Sequence, residues 1–313
     1  MRKIMVFGVV LWLVFSNPLT PSLLLSQGNV YGSGETTGTG SVTGRSVSSG
    51  SWSDIPRRAT ISLGLIQKDQ SGAERFATGG AGILIRDSND QIYIATALHM
   101  FENKTENWAP EYLNVRGWKD ENKSRYQDFG SKLLLRSEGK PLYIASLKFD
   151  LALIKVNEEI ENRVADNKDQ LYTLKVSDIG SDEDIFDGAD VFILGFPGLI
   201  GDEFQQRAFM RFGIVAWTDS AGPAERNFLV DARIFPGNSG GPVFSSFNGI
   251  TREGNVAYGR NFKLLGIVGQ TINAKPDLVL GVHLPNNAML IGAAGVGIIS
   301  PAHELLDMMA KFK

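Results

Sequence analysis

Three short segments hold the residue types that nucleophilic hydrolysis needs. The run Pro236-Gly237-Asn238-Ser239-Gly240-Gly241-Pro242-Val243-Phe244 sets one serine among glycines. Glycine neighbours let the chain take a turn that lifts the hydroxyl clear of other side chains. The backbone N–H groups of Gly237 and Ser239 could then cradle a developing oxyanion. An ordinary glycine turn is the bland alternative. The run Ile94-Ala95-Thr96-Ala97-Leu98-His99 reads as a strand ending in a histidine, although a lone histidine is more often structural than catalytic. In Phe149-Asp150-Leu151-Ala152-Leu153-Ile154 a carboxylate opens an apolar strand. A buried carboxylate needs a partner. His99 is the economical one, because Asp150 would fix its tautomer and stabilise the imidazolium formed during proton transfer.

Composition removes several competing chemistries. The 313 residues contain no cysteine, so thiol catalysis, disulfides and thiolate metal sites are excluded together. His99, His283 and His303 are the only histidines, which disfavours a histidine-rich metal site. Lys+Arg 31 against Asp+Glu 34 leaves a net charge of −3. Such a chain has no basic excess to release counterions from a nucleic acid. Hydrophobic residues at 43% suit a globular core. The 35 glycines go with many tight turns between short strands.

The elements that must position these residues follow an apolar leader and a polar linker. Arg2 and Lys3 precede the apolar run Ile4–Phe15, then Pro18 and Pro21. That run is shorter than the roughly 20 residues of a spanning helix. It has the pattern of an export signal, so residues 1–26 are expected to direct export to the periplasm or the medium. The alternative is a retained anchor, the only membrane contact expected. Residues 32–54 hold six Gly, seven Ser and four Thr, so 27–56 is expected to be a flexible linker. From residue 57 the texture is strand-like. One set of apolar runs lies within about 57–165 and a second within about 171–300, separated by charged Asn157–Gln170. In Pro301–Lys313 a proline precedes helically spaced Leu305, Leu306, Met308 and Met309. Two all-β halves closed by a helix suggest paired barrels.

The order His99, Asp150, Ser239, within Thr-Ala-Leu-His, Asp-Leu-Ala-Leu and Gly-Asn-Ser-Gly-Gly-Pro, resembles the trypsin-like, chymotrypsin-fold serine peptidases. The segments 231–239, 265–268 and 295–301 are most similar to the bacterial HtrA/Deg-type branch. The resemblance spans about Ala59–Phe312. It implies an all-β fold of two six-stranded antiparallel barrels with a C-terminal helix, and a triad between the barrels. It implies polypeptide substrates, Gly237 and Ser239 as oxyanion donors, and no metal or organic cofactor. It also implies a substrate pocket with Arg233 and Ile234 near its base. Val268, Gly269, Gln270 and Thr271 would be its wall, and Gly297 would leave it open. Arg233 there would favour acidic side chains. If it points instead to solvent, Ile234 makes an apolar floor.

The sequence departs from that branch in three places. No PDZ module is expected after the terminal helix, and oligomeric state is left open. Asn238 stands where digestive relatives carry an aspartate, so activation by burial of a new amino terminus is not expected. Phe101–Gly139 is long and charged, and could form a loop over the site, though its role is left open. Two other readings compete. Gly237-Asn238-Ser239-Gly240-Gly241 also satisfies the nucleophile elbow of α/β-hydrolases, with Asp277 and His303 in the required order. That fold needs a helix after the serine, where Gly240, Gly241 and Pro242 favour a strand. A non-catalytic peptide-binding or chaperone-like barrel is the other reading, and retention of all three triad candidates argues against it.

Overall fold

The computed structural model describes residues 54–68, 71–117, 131–166, 171–198, 207–259, 261–273 and 293–312. The expected export signal and most of the expected linker lie outside them. The linker's last residues do not: Asp54–Ala59 is a short helix, α1, with Pro56 buried. Asp54 in its first turn and an early proline suit a helix start. The Pro56 carbonyl accepts the Thr60 hydroxyl at 2.8 Å.

The first half contains β1 (Thr60–Lys68), β2 (Glu74–Arg86), β3 (Ile92–Thr96), β4 (Tyr112–Arg116), β5 (Lys132–Leu134), β6 (Arg136–Ser137), β7 (Lys140–Pro141), β8 (Tyr143–Ala145) and β9 (Ala152–Lys155). Their pairing order is β5-β4-β1-β2-β3-β9-β8. This sheet curls without closing, which departs from the six-stranded barrel expected. Its two edges are bridged instead by the β6–β7 hairpin and a bond from Leu142 N–H to the Leu135 carbonyl. Pro141 has no N–H with which to extend that ladder. The described part of 101–139 is not one loop: residues 102–111 are turns beside the His99 turn, with Trp108 Nε1 donating to the Met100 carbonyl at 3.1 Å, and strands follow. Phe101 is fully buried, and β4 pairs with β1.

The charged connection holds a helix, α2 (Glu158–Asp166), started by the Asn157 side chain accepting the Ile160 N–H at 2.9 Å. After it, β10 (Leu174–Lys175) returns to pair in parallel with β2. The second half therefore starts later than residue 171. Its strands are β11 (Asp190–Gly195), β12 (Phe209–Trp217), β13 (Phe228–Asp231), β14 (Pro242–Ser245), β15 (Gly249–Ile250), β16 (Val256–Ala257), β17 (Leu264–Asn273) and β18 (Ala293–Pro301). Six of these close a barrel in the order β11-β12-β13-β18-β17-β14, as expected. The terminal helix, α3, spans Glu304–Ala310.

Strand alternation explains how the halves adhere. In β3 every residue is buried, with Ile92 and Ile94 facing the interior of the first sheet and Tyr93 and Ala95 facing a central cluster. In β11, Val191 and Ile193 fill the barrel while Phe192 and Leu194 join that same central cluster. Leu305 and Met308 of α3, both fully buried, complete it. Each large side chain so buried contributes about 1.5–3 kcal/mol. Helix α3 also reaches both halves through polar contacts. The Ser146 hydroxyl donates to Glu304 at 2.8 Å, and His303 Nδ1 lies 2.9 Å from Asp182 Oδ1.

Candidate active site

Antiparallel register brings His99 and Asp150 together. Thr96 at the end of β3 pairs with Ala152 at the start of β9, so the residues just beyond must meet. His99 sits in a single 3-10 turn, Leu98–Met100, which the buried Phe101 and Met100 anchor below. Its Nδ1 lies 2.7 Å from Asp150 Oδ2, and its backbone N–H donates to Asp150 Oδ1 at 2.9 Å. Each carboxylate oxygen thus accepts a hydrogen bond from His99. The Asp150 loop is shaped by Ser146, whose hydroxyl accepts the N–H groups of Lys148 and Phe149 at 3.1 and 3.2 Å. Burial pushes the Asp150 carboxyl up. Hydrogen bonds from the His99 ring and from the backbone of His99 and Leu98, with the imidazole charge, outweigh it and hold the pKa below the usual value.

Ser239 is held by both halves. Its carbonyl accepts the Ala81 N–H of β2 at 2.7 Å, while Gly240 N–H donates to Val268 of β17 at 2.8 Å. The approach is so close that a Cβ on Gly240, at φ +76°, would meet Thr96 Oγ1 at 2.0 Å and the Ala81 carbonyl at 2.1 Å. Thr96 Oγ1 itself donates to the Ala81 carbonyl at 2.7 Å. Upstream, Asn238 N–H closes a turn onto the Phe235 carbonyl at 3.0 Å, with Gly237 at φ +94°. The Gly237 carbonyl receives the Phe196 N–H at 3.2 Å. Among the described residues, neither the Gly237 nor the Ser239 N–H is used in an internal hydrogen bond. Asn238 is 2% exposed and lies against Gly195.

The residues expected to form a substrate pocket separate into groups. Ile234 and Val268 are buried in the barrel's apolar cluster. The room left by Gly297 is occupied, since a Cβ there would fall 2.0 Å from Ile234 Cδ1. The glycine makes space for an isoleucine, so it does not leave the pocket open. Gly269 borders Asp150: a Cβ on it would lie 3.3 Å from Oδ2. Gln270 is exposed, and Thr271 pairs with Gly297 through the β17–β18 register. Arg233 is exposed at φ +46°, in an outer groove with Phe209, Arg211, Phe212 and Asp231. Its backbone carbonyl accepts from Arg211. A cationic floor beneath Ile234 is not what these positions build.

The elbow reading fails on local structure. Strand β14, not a helix, follows Ser239, and His303 lies beside Asp182. Asp277 lies outside the described residues. Sequence reasoning missed Gly80, Ala81, Thr96 and Ser146 as supports. The Gly79-Gly80 pair ahead of an apolar strand was the available signal, since a Cβ on Gly80 would meet the Ser239 carbonyl at 2.6 Å.

A mostly-β chain built of one closed six-stranded barrel and one curled sheet defines a chymotrypsin-like fold. The family of trypsin-like peptidase domains matches residues 80–249, just over half of the chain, and the chain belongs to that family. No curated protein matches it. Among solved structures it is similar to a variant of the HtrA-type protease AlgW with a decapeptide, at 16% identity and a TM-score of 0.43. That match covers 83% of this chain, which spans only 65% of the AlgW chain. It is also similar to the active form of the Rv3671c protease from M. tuberculosis, at 17% identity and a TM-score of 0.42, covering 83% of this chain and 82% of that one.

Proposed function

We propose that this peptidase is a serine endopeptidase acting through an acyl-enzyme. The observation that carries the reading is the double engagement of Asp150 by His99, at 2.7 Å through Nδ1 and 2.9 Å through the backbone N–H. With Nδ1–H donated to the carboxylate, Nε2 keeps its lone pair and is the base. It takes the Ser239 proton as the hydroxyl oxygen attacks the scissile carbonyl, and returns it to the leaving amine. The N–H groups of Gly237 and Ser239 receive the oxyanion; one such donor is worth about 2.7–4 kcal/mol. Water, activated by the same imidazole, then releases the acyl group and regenerates Ser239. No step needs a metal or an organic cofactor.

The leader supports export to the periplasm or the medium, with polypeptides as substrates. The test is covalent. Purified protein is treated with a fluorophosphonate probe and the adduct mapped by peptide mass spectrometry. Labelling at Ser239, abolished in His99→Ala, is the expected result. Unlabelled protein that hydrolyses no peptide would sink the proposal and leave a peptide-binding barrel.

A further inference from the structure

We infer that Arg211 is a positioning residue for the turn that carries the oxyanion donors, an inference that rests on the serine-peptidase reading of that turn. Arg211 lies on β12, where it pairs with Ile193 of β11, so its backbone moves with the closed barrel. Its guanidinium donates from Nη1 to the Arg233 carbonyl. The same group lies 4.3 Å from the ring centroid of Phe235 and 5.3 Å from that of Phe209. One planar cation therefore grips two points, 233 and 235, on the segment that leads from β13 into the turn. Phe235 is the turn's first residue, and its carbonyl accepts the Asn238 N–H.

Two features show that the segment needs holding. Arg233 is a non-glycine residue in the left-handed region, a conformation that persists only where surroundings enforce it. The Pro236–Gly237 peptide leads into Gly237 at φ +94°, where rotation is otherwise unhindered by a side chain. Rotation of that peptide would redirect the Gly237 N–H at the cost of the Gly198 N–H bond to the Pro236 carbonyl, 3.1 Å long, so Arg211 shares the holding of the turn with Gly198. Arg211 also accepts an electrostatic cost. Burial and the neighbouring Arg233 charge both push its pKa down. A guanidinium suits the task because it donates in its plane while presenting its face to a ring. An ammonium cannot hold both contacts in that geometry.

Two variants, Arg211→Ala and Arg211→Lys, test this. In Arg211→Ala, kcat on a peptide substrate should fall about 10- to 100-fold while KM changes less than about threefold. Arg211→Lys should not restore kcat, whereas added guanidinium ion should partly restore it in Arg211→Ala. Native-state hydrogen exchange is read on the same proteins. The Phe196 amide, bound to the Gly237 carbonyl, should exchange at least about tenfold faster in both variants, with Ile193 unchanged. Full kcat in either variant would overturn the inference. So would a rise in KM alone, which would make Arg211 a substrate contact. If the native protein hydrolyses nothing and Ser239 is unlabelled, the peptidase reading falls, and exchange at Phe196 alone decides whether Arg211 holds the turn. Unchanged exchange there would overturn it.

Discussion

The Ala81 N–H donates to the Ser239 carbonyl at 2.7 Å, a backbone bond from the first sheet to the proposed nucleophile's own residue in the second half. The proposed base, His99, lies in the turn after β3, and its carboxylate, Asp150, on the approach to β9. The proposed nucleophile and base are therefore placed relative to one another by β2, which pairs with β3 and, just past the last β3 pair, donates the Ala81 N–H to Ser239. A few tenths of an ångström of slip between halves would be felt directly in the chemistry.

Replacing Ser239 by alanine should abolish hydrolysis and leave the thermal midpoint within about 3 °C of native, since the hydroxyl serves chemistry more than packing. Initial rates and calorimetry on the same preparation check both halves of the statement. Undiminished turnover would remove Ser239 from the mechanism.

His99→Ala and Asp150→Asn should each lower kcat by roughly 10³–10⁴ or more, because Asp150→Asn leaves the ring in place with the wrong tautomer. The double variant should lose little beyond the worse single variant, as groups acting as a unit are not additive. A double-mutant cycle on kcat reads this, and summed losses would mean that the two residues act independently.

The depressed pKa of Asp150 has a consequence for stability. A carboxyl lowered in the folded state binds its proton more readily when unfolded. Its stabilisation is therefore fully present above the unfolded value, about 3.9, and is lost as pH falls through the lower folded value. Chemical denaturation followed from neutral pH into acid should show a steeper loss for native protein than for Asp150→Asn. Parallel acid limbs would show that the His99 contacts do not bias the carboxyl.

Two glycines should fail for different reasons. Gly240→Ala places a Cβ 2.0 Å from Thr96 Oγ1 at φ +76°, so it should destabilise the junction and reduce activity together. Gly297→Ala meets only the end of the Ile234 side chain at 2.0 Å. The double variant with Ile234→Ala should regain part of the stability lost by Gly297→Ala, a coupling of about 0.5–3 kcal/mol. Urea unfolding of the four proteins measures it, and strict additivity would rule out the contact.

Much of the candidate site was legible because local chemistry is written in short runs. Glycines flanking Ser239 mark a turn, an apolar strand ending at His99 marks an element boundary, and Asp150 opening a buried strand demands a partner. Strand periodicity located most of both sheets for the same reason: alternation registers burial on each face. The order of pairing was beyond its reach. Nothing local reveals that β10 returns to β2, that the first sheet stays open across β6–β7, or that β4 lies within a charged segment. The supports of Ser239 were also invisible, because Ala81 and Thr96 act through a carbonyl, an N–H and a hydroxyl that any sequence supplies. Their roles arise only when two halves meet. Arg233 and Ile234 make the same point, for adjacent residues in a resemblance became an exposed cation and a buried core side chain. Which face a side chain takes is decided by the backbone conformation that packing enforces, and packing belongs to the tertiary structure.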